Sequence, residues 1–316
     1  MNITVIGAGA MGAALALSIE RAGQRVTICA TAFDAPLVAS LRRDGLSVVD
    51  AGDWEVSIRS ASIVVVAVAS IGVQDVVRTA TKWLRPEAIW AVASKGWDSQ
   101  NAQPLSAIIE KESPDHPVVM LAGPTLAAEL AVGSPTALLC ACRDLTSAGT
   151  VSDAIRSSSL STFITDDVIG VEVGAALKNV LAVAVGMVEG IASLTGTHMD
   201  NAKAAVFSLG LVDMARLAFA MGGREDTVLG LAGAGDFFVT VMGGRNGTFG
   251  RLVGGGLDPR QALSQMSTTV EGYDSAQEAA SLASRYGINL PVVAAVVSVL
   301  HGGVAPRDAI ESLMRG

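Results

Sequence analysis

The chain has 316 residues, of which half are apolar and 16% are charged. That balance excludes a disordered chain, and the length is enough for two folded domains. The net charge of −8 argues against extended nucleic-acid binding, because that function usually requires a basic face.

The N-terminal sequence MNITVIGAGAMG predicts a strand and not a signal peptide, because it has no basic start and no cleavage site. No run of 18 or more apolar residues is free of charged and polar residues, so we predict no membrane span. The longest candidate, around Leu177 to Val188, is interpreted as a buried helix. Cys29, Cys140 and Cys142 follow no disulfide or metal spacing, and we expect reduced, buried thiols in a cytoplasmic protein.

Short β-rich runs alternate with stretches of helical spacing in the first half of the chain. The predicted strands are 3–6, 26–30, 63–68, 89–92, 118–121 and 137–141. The predicted helices include 13–22, 36–44 and 73–83. Because the strands are apolar almost throughout, we predict a parallel, doubly wound sheet that is covered by helices on both faces.

A glycine-rich turn follows the first predicted strand and opens a helix. Gly7 permits the tight turn, Gly9 leaves room for a pyrophosphate, and Gly12 lets the helix lie close to the sheet. A merely tight turn is the weaker interpretation in this position. The turn therefore predicts a dinucleotide site in which the helix N-terminus faces the anion.

The acidic residue that usually binds the adenosine ribose is missing from the end of the second predicted strand. Thr31 stands near that position and suits either cofactor, while Asp34 comes late in the sequence. Arg42 and Arg43 are too far along the following helix. The choice between NAD and NADP is therefore left open.

The pattern changes near residue 165, and no convincing strand follows residue 168. The predicted helices are 168–193, 201–221, 227–232, 259–264, 275–286 and 291–300, with glycine-rich turns between them. We predict a dinucleotide-binding domain at 1–165 and a helical substrate-binding domain at 166–316.

Several polar residues have two possible roles: they either stabilise the fold or take part in ligand binding and catalysis. Lys95 follows the strand at 89–92, where open α/β sheets bind ligands, although a solvated loop lysine fits the same position. Thr125 follows the strand at 118–121 and is predicted to cap the next helix. Lys178 is a lone cation in an apolar helix, so it either snorkels to water or exchanges a proton in a cleft. Arg245 and Asn246 lie on a glycine-rich loop that suits a phosphate.

These stretches together resemble the NAD(P)-dependent glycerol-3-phosphate dehydrogenase family along nearly the whole chain. The matching sequences are GAGAMG from residue 7, ASKGWD from 93, LAGPTLAAE from 121, ALKN from 176, NAKAA from 201, GLAGAGDFFVTVMGGRN from 230 and VEGYDSA from 270. The resemblance implies a Rossmann-like doubly wound sheet followed by an all-helical C-terminal domain. It also implies NAD or NADP as cofactor, a small phosphorylated substrate, no metal and a homodimer.

The resemblance assigns roles to individual residues. Lys178 is the implied proton donor and acceptor, with Lys95 and Asp236 beside it as catalytic residues. The implied substrate-binding residues are Lys95, Asn179, Asp236, Thr240, Arg245 and Asn246. The implied cofactor-binding residues are Gly7, Gly9, Ala10, Met11, Gly12, Thr31, Lys95, Gly123, Thr125, Ala127, Arg245 and Glu271.

The chain departs from the family pattern at several positions, most of which usually carry a basic residue. Met11 replaces a bulky aromatic residue, Ser208 and Leu209 stand where an arginine is common, and Gly247 and Thr248 replace basic residues. The substrate is therefore either glycerol 3-phosphate or a related four- or five-carbon polyol phosphate. The sequence leaves two further functions open, namely a ketopantoate-type dehydrogenase and a non-catalytic NAD(P)-sensing protein.

Overall fold

The computed structural model describes residues 1–98, 101–266 and 269–315. Its strands are β1 Asn2–Ile6, β2 Arg25–Cys29, β3 Val48–Val49, β4 Ile63–Val66, β5 Ile89–Val92, β6 Val118–Ala122, β7 Thr136–Ala141 and β8 Leu160–Thr165. The helices of the first half are α1 Ala10–Arg21, α2 Ala35–Arg43, α3 Glu55–Ser60, α4 Val73–Ala80, α5 Leu105–Glu112, α6 Ala127–Val132 and α7 Leu145–Ile155. Those of the second half are α8 Val168–Thr195, α9 Asp200–Ala220, α10 Glu225–Leu229, α11 Asp236–Gly243, α12 Arg245–Gly254, α13 Pro259–Ser264, α14 Glu271–Tyr286, α15 Pro291–Leu300 and α16 Pro306–Arg315.

The strands form one sheet in the order β3-β2-β1-β4-β5-β6-β7-β8. This confirms the predicted Rossmann-like doubly wound sheet, in which the strand order reverses beside β1. One detail of the prediction is wrong, because β7 runs antiparallel to β6, with Leu121 opposite Cys140. A strand that is buried on both faces is apolar throughout, and such a pattern does not reveal the direction of the strand.

Two strands were not predicted, and both lie at an edge of the sheet. β3 is only two residues long. β8 alternates buried and exposed side chains, and Phe163 is 54% exposed. Edge strands lack the continuous apolar run by which the inner strands were identified.

The chain divides into two compact units. One comprises residues 1–98 and 103–171, and the other comprises 99–102 and 172–316. The second unit is helical in its described residues, as predicted. α8 is long and apolar enough to cross a membrane, but 94% of its most apolar window is buried inside the protein. The prediction that the segment around Leu177 to Val188 forms a buried helix is therefore confirmed.

Glycines bring α8 and α12 into backbone contact. A Cβ atom at Gly186 would collide with the carbonyl oxygen of Gly247, and one at Gly190 with that of Arg251. The contact is reciprocal, since a Cβ atom at Gly254 would collide with the backbone of Met187. Glycine is the one residue that permits this approach without displacing either helix.

The predicted glycine-rich loop after residue 242 is wrong. Arg245 and Asn246 form the first turn of α12, and Gly244 is its N-cap residue. Glycine disfavours helix and therefore indicated a loop in the sequence. Packing against α8 overrides that preference, because the glycines of α12 are the residues that allow the contact. α11 and α16 were also not predicted.

Candidate active site

The turn after β1 has the shape that a pyrophosphate requires. Gly7 has a φ of +107°, and a Cβ atom there would lie 2.6 Å from the carbonyl oxygen of Ala67. A Cβ atom at Gly12 would collide with the carbonyl oxygen of Gly7, whereas one at Gly9 meets nothing within 4 Å. Gly9 is the N-cap residue of α1 and supplies no side-chain cap. The residues therefore fit a dinucleotide, whose phosphates would accept the N–H groups at this open helix N-terminus.

Asp34 closes the neighbouring turn after β2. Its Oδ2 atom accepts the backbone N–H of Ala8 at 3.0 Å, the backbone N–H of Thr31 at 2.8 Å and the Thr31 hydroxyl at 2.7 Å. Asp34 comes late in the sequence, as noted above, but a short 3₁₀ turn brings its carboxylate back to the glycine turn. The capping-box spacing of Thr31 and Asp34 is the sequence signal that would have revealed it.

The other predicted first-unit residues lie at carboxyl ends of strands. Lys95 is half-buried and follows β5, and Gly123 follows β6 with a φ of +156°. The predicted helix cap is wrong, because Leu126 is the N-cap residue of α6 and the Thr125 hydroxyl donates to the Gly123 carbonyl at 3.1 Å. Thr125 thus tightens the turn before the helix, and Ala127 is the first residue of the helix.

Lys178 lies in a buried cluster of three polar side chains. Its Nζ atom donates to Asp236 Oδ1 at 2.6 Å and to Thr240 Oγ1 at 3.0 Å. The Thr240 hydroxyl donates to the backbone oxygen of Asp236 at 2.7 Å, so its lone pairs face the ammonium. The three residues are only 6%, 1% and 6% exposed. The lysine is therefore paired and does not snorkel to water.

A π-helical turn places Asp236 in that cluster. Residues Leu231–Gly235 form this turn directly before α11. A Cβ atom at Gly174 would lie 2.7 Å from the Ala232 oxygen, so the turn packs on the α8 backbone. Lys178 lies one helical turn after Gly174 on the same face. The contact thereby aligns Asp236 with Lys178, and the sequence did not predict this π-helical geometry.

A relay of amides joins α8, α12 and α14. Asn179 Nδ2 donates to Glu271 Oε2 at 2.8 Å, and Asn246 Nδ2 donates to Asn179 Oδ1 at 2.9 Å. Asn246 Oδ1 in turn accepts the Gly272 backbone N–H at 2.9 Å. The structure thus brings together three predicted site residues beside Lys178. The sequence did not predict the part played by Gly272, because every residue except proline has a backbone N–H group and the sequence does not show which of them takes part in a site.

Arg245 lies at the N-terminus of α12 and is exposed. It makes no hydrogen bond or ion pair with any residue in the described ranges, whereas Arg251 of the same helix pairs with Glu189 at 2.8 Å. A guanidinium beside the N–H groups of a helix N-terminus forms a favourable position for an anion.

The arrangement is suited to proton transfer. A buried ammonium held by a carboxylate is a positioned acid, and the hydroxyl of Thr240 fixes its direction. Among the described residues, no three His, Cys, Asp or Glu side chains are grouped to hold a metal ion.

Models of known protein families match most of the chain. Residues 46–148 match the family described as NAD-dependent glycerol-3-phosphate dehydrogenase N-terminus, and residues 167–311 match its C-terminus. Residues 2–89 also match the family of NADP oxidoreductases that depend on coenzyme F420.

Individual relatives cover nearly the full length. Glycerol-3-phosphate dehydrogenase [NAD(P)+] of Rhizobium etli is 37% identical and that of Symbiobacterium thermophilum is 34% identical; each alignment covers 99% of this chain and 97% and 94% of the relative. The crystal structure of glycerol-3-phosphate dehydrogenase from Coxiella burnetii has a TM-score of 0.90 at 27% identity, covering 99% of this chain and 98% of that one.

Proposed function

The chain belongs to the NAD-dependent glycerol-3-phosphate dehydrogenase family, and we propose that it interconverts dihydroxyacetone phosphate and sn-glycerol 3-phosphate. The nicotinamide of NAD(P)H supplies the hydride for reduction, and NAD(P)+ accepts it in the reverse reaction. The buried cluster of Lys178, Asp236 and Thr240 is the observation that carries the proposal, because ketone reduction also needs one proton at the oxygen.

Lys178 supplies that proton. In reduction its ammonium protonates the ketone oxygen while the carbonyl carbon gains the hydride, and in oxidation the neutral amine takes the proton back. Asp236, at 2.6 Å, holds the ammonium against the cost of burial. Thr240 restricts the direction of the Nζ atom.

Arg245 binds the substrate phosphate, supported by its exposure at the N-terminus of α12. Asn179 and Asn246 contribute hydrogen bonds to the substrate. Each amide nitrogen has two N–H bonds, and one of them donates within the relay with Glu271. The relay thus orients both amides for the substrate while it holds the first turn of α14.

The first unit binds the cofactor. The turn from Gly7 to Gly12, with Ala10 and Met11 in its first helical residues, holds the pyrophosphate. Lys95, Gly123, Thr125 and Ala127 are assigned to the nicotinamide side by their positions after β5 and β6. Glu271 is assigned to a ribose of the cofactor.

The proposal is tested by replacing Lys178 with Met, which keeps the length of the side chain and removes the charge. We expect the turnover number with dihydroxyacetone phosphate to fall by about 10²–10⁴, the usual contribution of a general acid. Binding of NADH, followed by its fluorescence, should change little. Lys82→Met is the control, because Lys82 is an exposed lysine of the first unit. Turnover of Lys178→Met within a few-fold of the parent would contradict the assignment.

Arg245→Ala tests the phosphate site. The affinity for dihydroxyacetone phosphate should fall by about 1.5–3 kcal/mol, because a hydrogen bond to a charged group is lost. Dihydroxyacetone without the phosphate should react equally well with both enzymes. Arg260→Ala is the control, since Arg260 is an exposed arginine on α13. Equal losses for both substrates would show that Arg245 has a structural role or contacts only the cofactor.

A panel of ketose phosphates separates the proposed substrate from related compounds. We expect kcat/KM to be highest for dihydroxyacetone phosphate. A preference for a four- or five-carbon ketose phosphate would identify the larger substrate that the missing cations near Gly247 and Leu209 suggested. Turnover of ketopantoate would indicate the other dehydrogenase class, and cofactor binding without turnover of any substrate would indicate a sensor.

The cytoplasm is the proposed location and a homodimer the proposed assembly. Cys29, Cys140 and Cys142 are free and buried, which suits a reducing compartment. For the dimer, α9 exposes Val212 and Phe219 on one face, at 43% and 70%, and exposed apolar faces often mark interfaces. Light scattering of the purified protein measures the assembly directly.

A further inference from the structure

The carboxylate of Asp34 is nearly buried and uses only one of its two oxygens. Asp34 is 9% exposed, and the three hydrogen bonds that its carboxylate accepts all go to Oδ2. Oδ1 accepts no hydrogen bond from any residue in the described ranges. Oδ1 therefore has no donor within the described residues and is free to accept a hydrogen bond from a ligand.

The position of this carboxylate is set by the glycine turn. Oδ2 accepts the N–H of Ala8, which lies between Gly7 and Gly9. A dinucleotide with its pyrophosphate on that turn places its adenosine ribose at the end of β2, where Asp34 folds back. The ribose 2′-hydroxyl of NAD is a hydrogen-bond donor, and the 2′-phosphate of NADP is an anion with only acceptors.

The sequence around Asp34 supplies no cation to offset its charge. Residues 30 to 41 include no Lys, Arg or His. Arg42, the first cation of α2, donates to the Val48 carbonyl and pairs with Asp50 at 2.9 Å. A 2′-phosphate at this position would meet a carboxylate of like charge at short range, which is unfavourable.

We propose that Asp34 makes this enzyme selective for NAD(H) over NADP(H), by accepting the 2′-hydroxyl at Oδ1 and repelling a 2′-phosphate. The proposal rests on the proposed function only in requiring a dinucleotide on the glycine turn. The relatives carry NAD(P)+ in their names, so this preference would be a property of the present chain. If Asp34 only stabilises the turn, the two cofactors bind alike.

The test measures dissociation constants of NADH and NADPH by cofactor fluorescence, without substrate. The parent protein should bind NADH at least about tenfold more tightly, a difference of roughly 1.4 kcal/mol. Asp34→Asn keeps the size and an acceptor oxygen for Ala8 and removes the charge, so it should bring the two constants within about threefold of each other. Asp50→Asn, which removes an exposed carboxylate paired with Arg42, should keep the parent preference.

Equal binding of NADH and NADPH by the parent protein would overturn the proposal, as would an unchanged preference in Asp34→Asn. If that variant does not fold, competition of 5′-AMP and 2′,5′-ADP against NADH on the parent decides the question. The 2′-phosphorylated nucleotide should be the weaker competitor, and equal or stronger competition would overturn the proposal. Absence of binding by either cofactor would instead contradict the proposed function.

Discussion

The N-termini of α1 and α15 meet the same electrostatic requirement in different ways. The N-cap residue of α1 is Gly9, which has no side chain to cap the helix, so the first N–H groups of α1 stay open to a ligand. At α15 the buried carboxylate of Asp213 accepts the N–H groups of Val292 and Val293 at 2.8 and 3.2 Å. A helix N-terminus attracts an anion in both units. In the first unit we propose that the hydrogen-bond acceptor is a bound ligand, whereas in the second unit it is a side chain of the protein.

Glycine also serves opposite purposes in the two units. Gly9 leaves space that a Cβ atom would not disturb within the protein, because nothing lies within 4 Å. Gly186 instead allows two helices to pack without a gap, because a Cβ atom at this position would collide with α12. In the first unit glycine leaves open space, which we propose for a ligand. In the second unit glycine allows close packing of the helices that carry Lys178 and Asn246. Three predictions test this contrast.

The largest effect is expected at Asp213, as a dependence of stability on pH. Burial raises the pKa of Asp213 to about 6, against the hydrogen bonds from Val293 and Val292 and the charge of Arg216. The folded protein therefore keeps the proton at a pH where the unfolded chain, with an ordinary value of 3.8, has released it. This contribution to stability is complete below pH 3.8 and is lost as the pH rises to 6, by roughly 3 kcal/mol.

Asp213→Asn should remove that dependence, because the amide oxygen still accepts both N–H groups and carries no charge. Urea unfolding at pH 4, 5, 6 and 7 measures the free energy of unfolding of both proteins. Asp144 offers a control of opposite sign: it caps α7, and hydrogen bonds from Ser147 and Thr146 lower its pKa. The stability that this carboxylate contributes is complete above its ordinary pKa of 3.8 and is lost only at lower pH, so the difference between Asp144→Asn and the parent should stay nearly constant from pH 4 to pH 7. Parallel pH curves for the parent and Asp213→Asn would show that Asp213 is not protonated in the fold.

The second prediction concerns the contact between α8 and α12. Gly186→Ala should lower the free energy of unfolding by about 1–3 kcal/mol, because the added methyl group forces the helices apart. It should also lower turnover, since the same helices hold Lys178 and Asn246. Gly149→Ala in α7 is the matched control, with nothing within 4 Å of the new methyl group. It should raise the free energy by about 0.5–1 kcal/mol, and a similar gain at Gly186 would rule out the close contact.

The smallest effect is expected from Gly9→Ala. Its φ of −66° suits alanine, so the free energy of unfolding should stay within about 1 kcal/mol of the parent. The methyl group occupies the space for the pyrophosphate, and the affinity for NADH should fall by about tenfold, roughly 1.4 kcal/mol. Thermal unfolding and NADH fluorescence provide the two measurements. Unchanged affinity would place the pyrophosphate elsewhere.

Much of the fold was predictable, because it depends on local patterns. The inner strands were found as apolar runs, and the turn from Gly7 to Gly12 was identified by its spacing between a strand and a helix. α13 and α15 begin and end at the predicted residues, each with a proline in its first turn. α12 was missed, because its glycines have low helix propensity and their packing partner lies about sixty residues earlier in the chain.

The sequence by itself determined the residue types of the site: a lysine in an apolar helix, the glycines after β1 and the polar residues that resemble a known family. Only the tertiary structure decided which of these residues meet. Lys178 appeared unpaired until the π-helical turn brought Asp236 within 2.6 Å of it. In the sequence Asp34 lies several residues after the end of β2, but the 3₁₀ turn brings its carboxylate within hydrogen-bond distance of the Ala8 N–H group. Both contacts depend on irregular backbone turns, whose geometry is set by packing and not by the periodicity that a sequence displays.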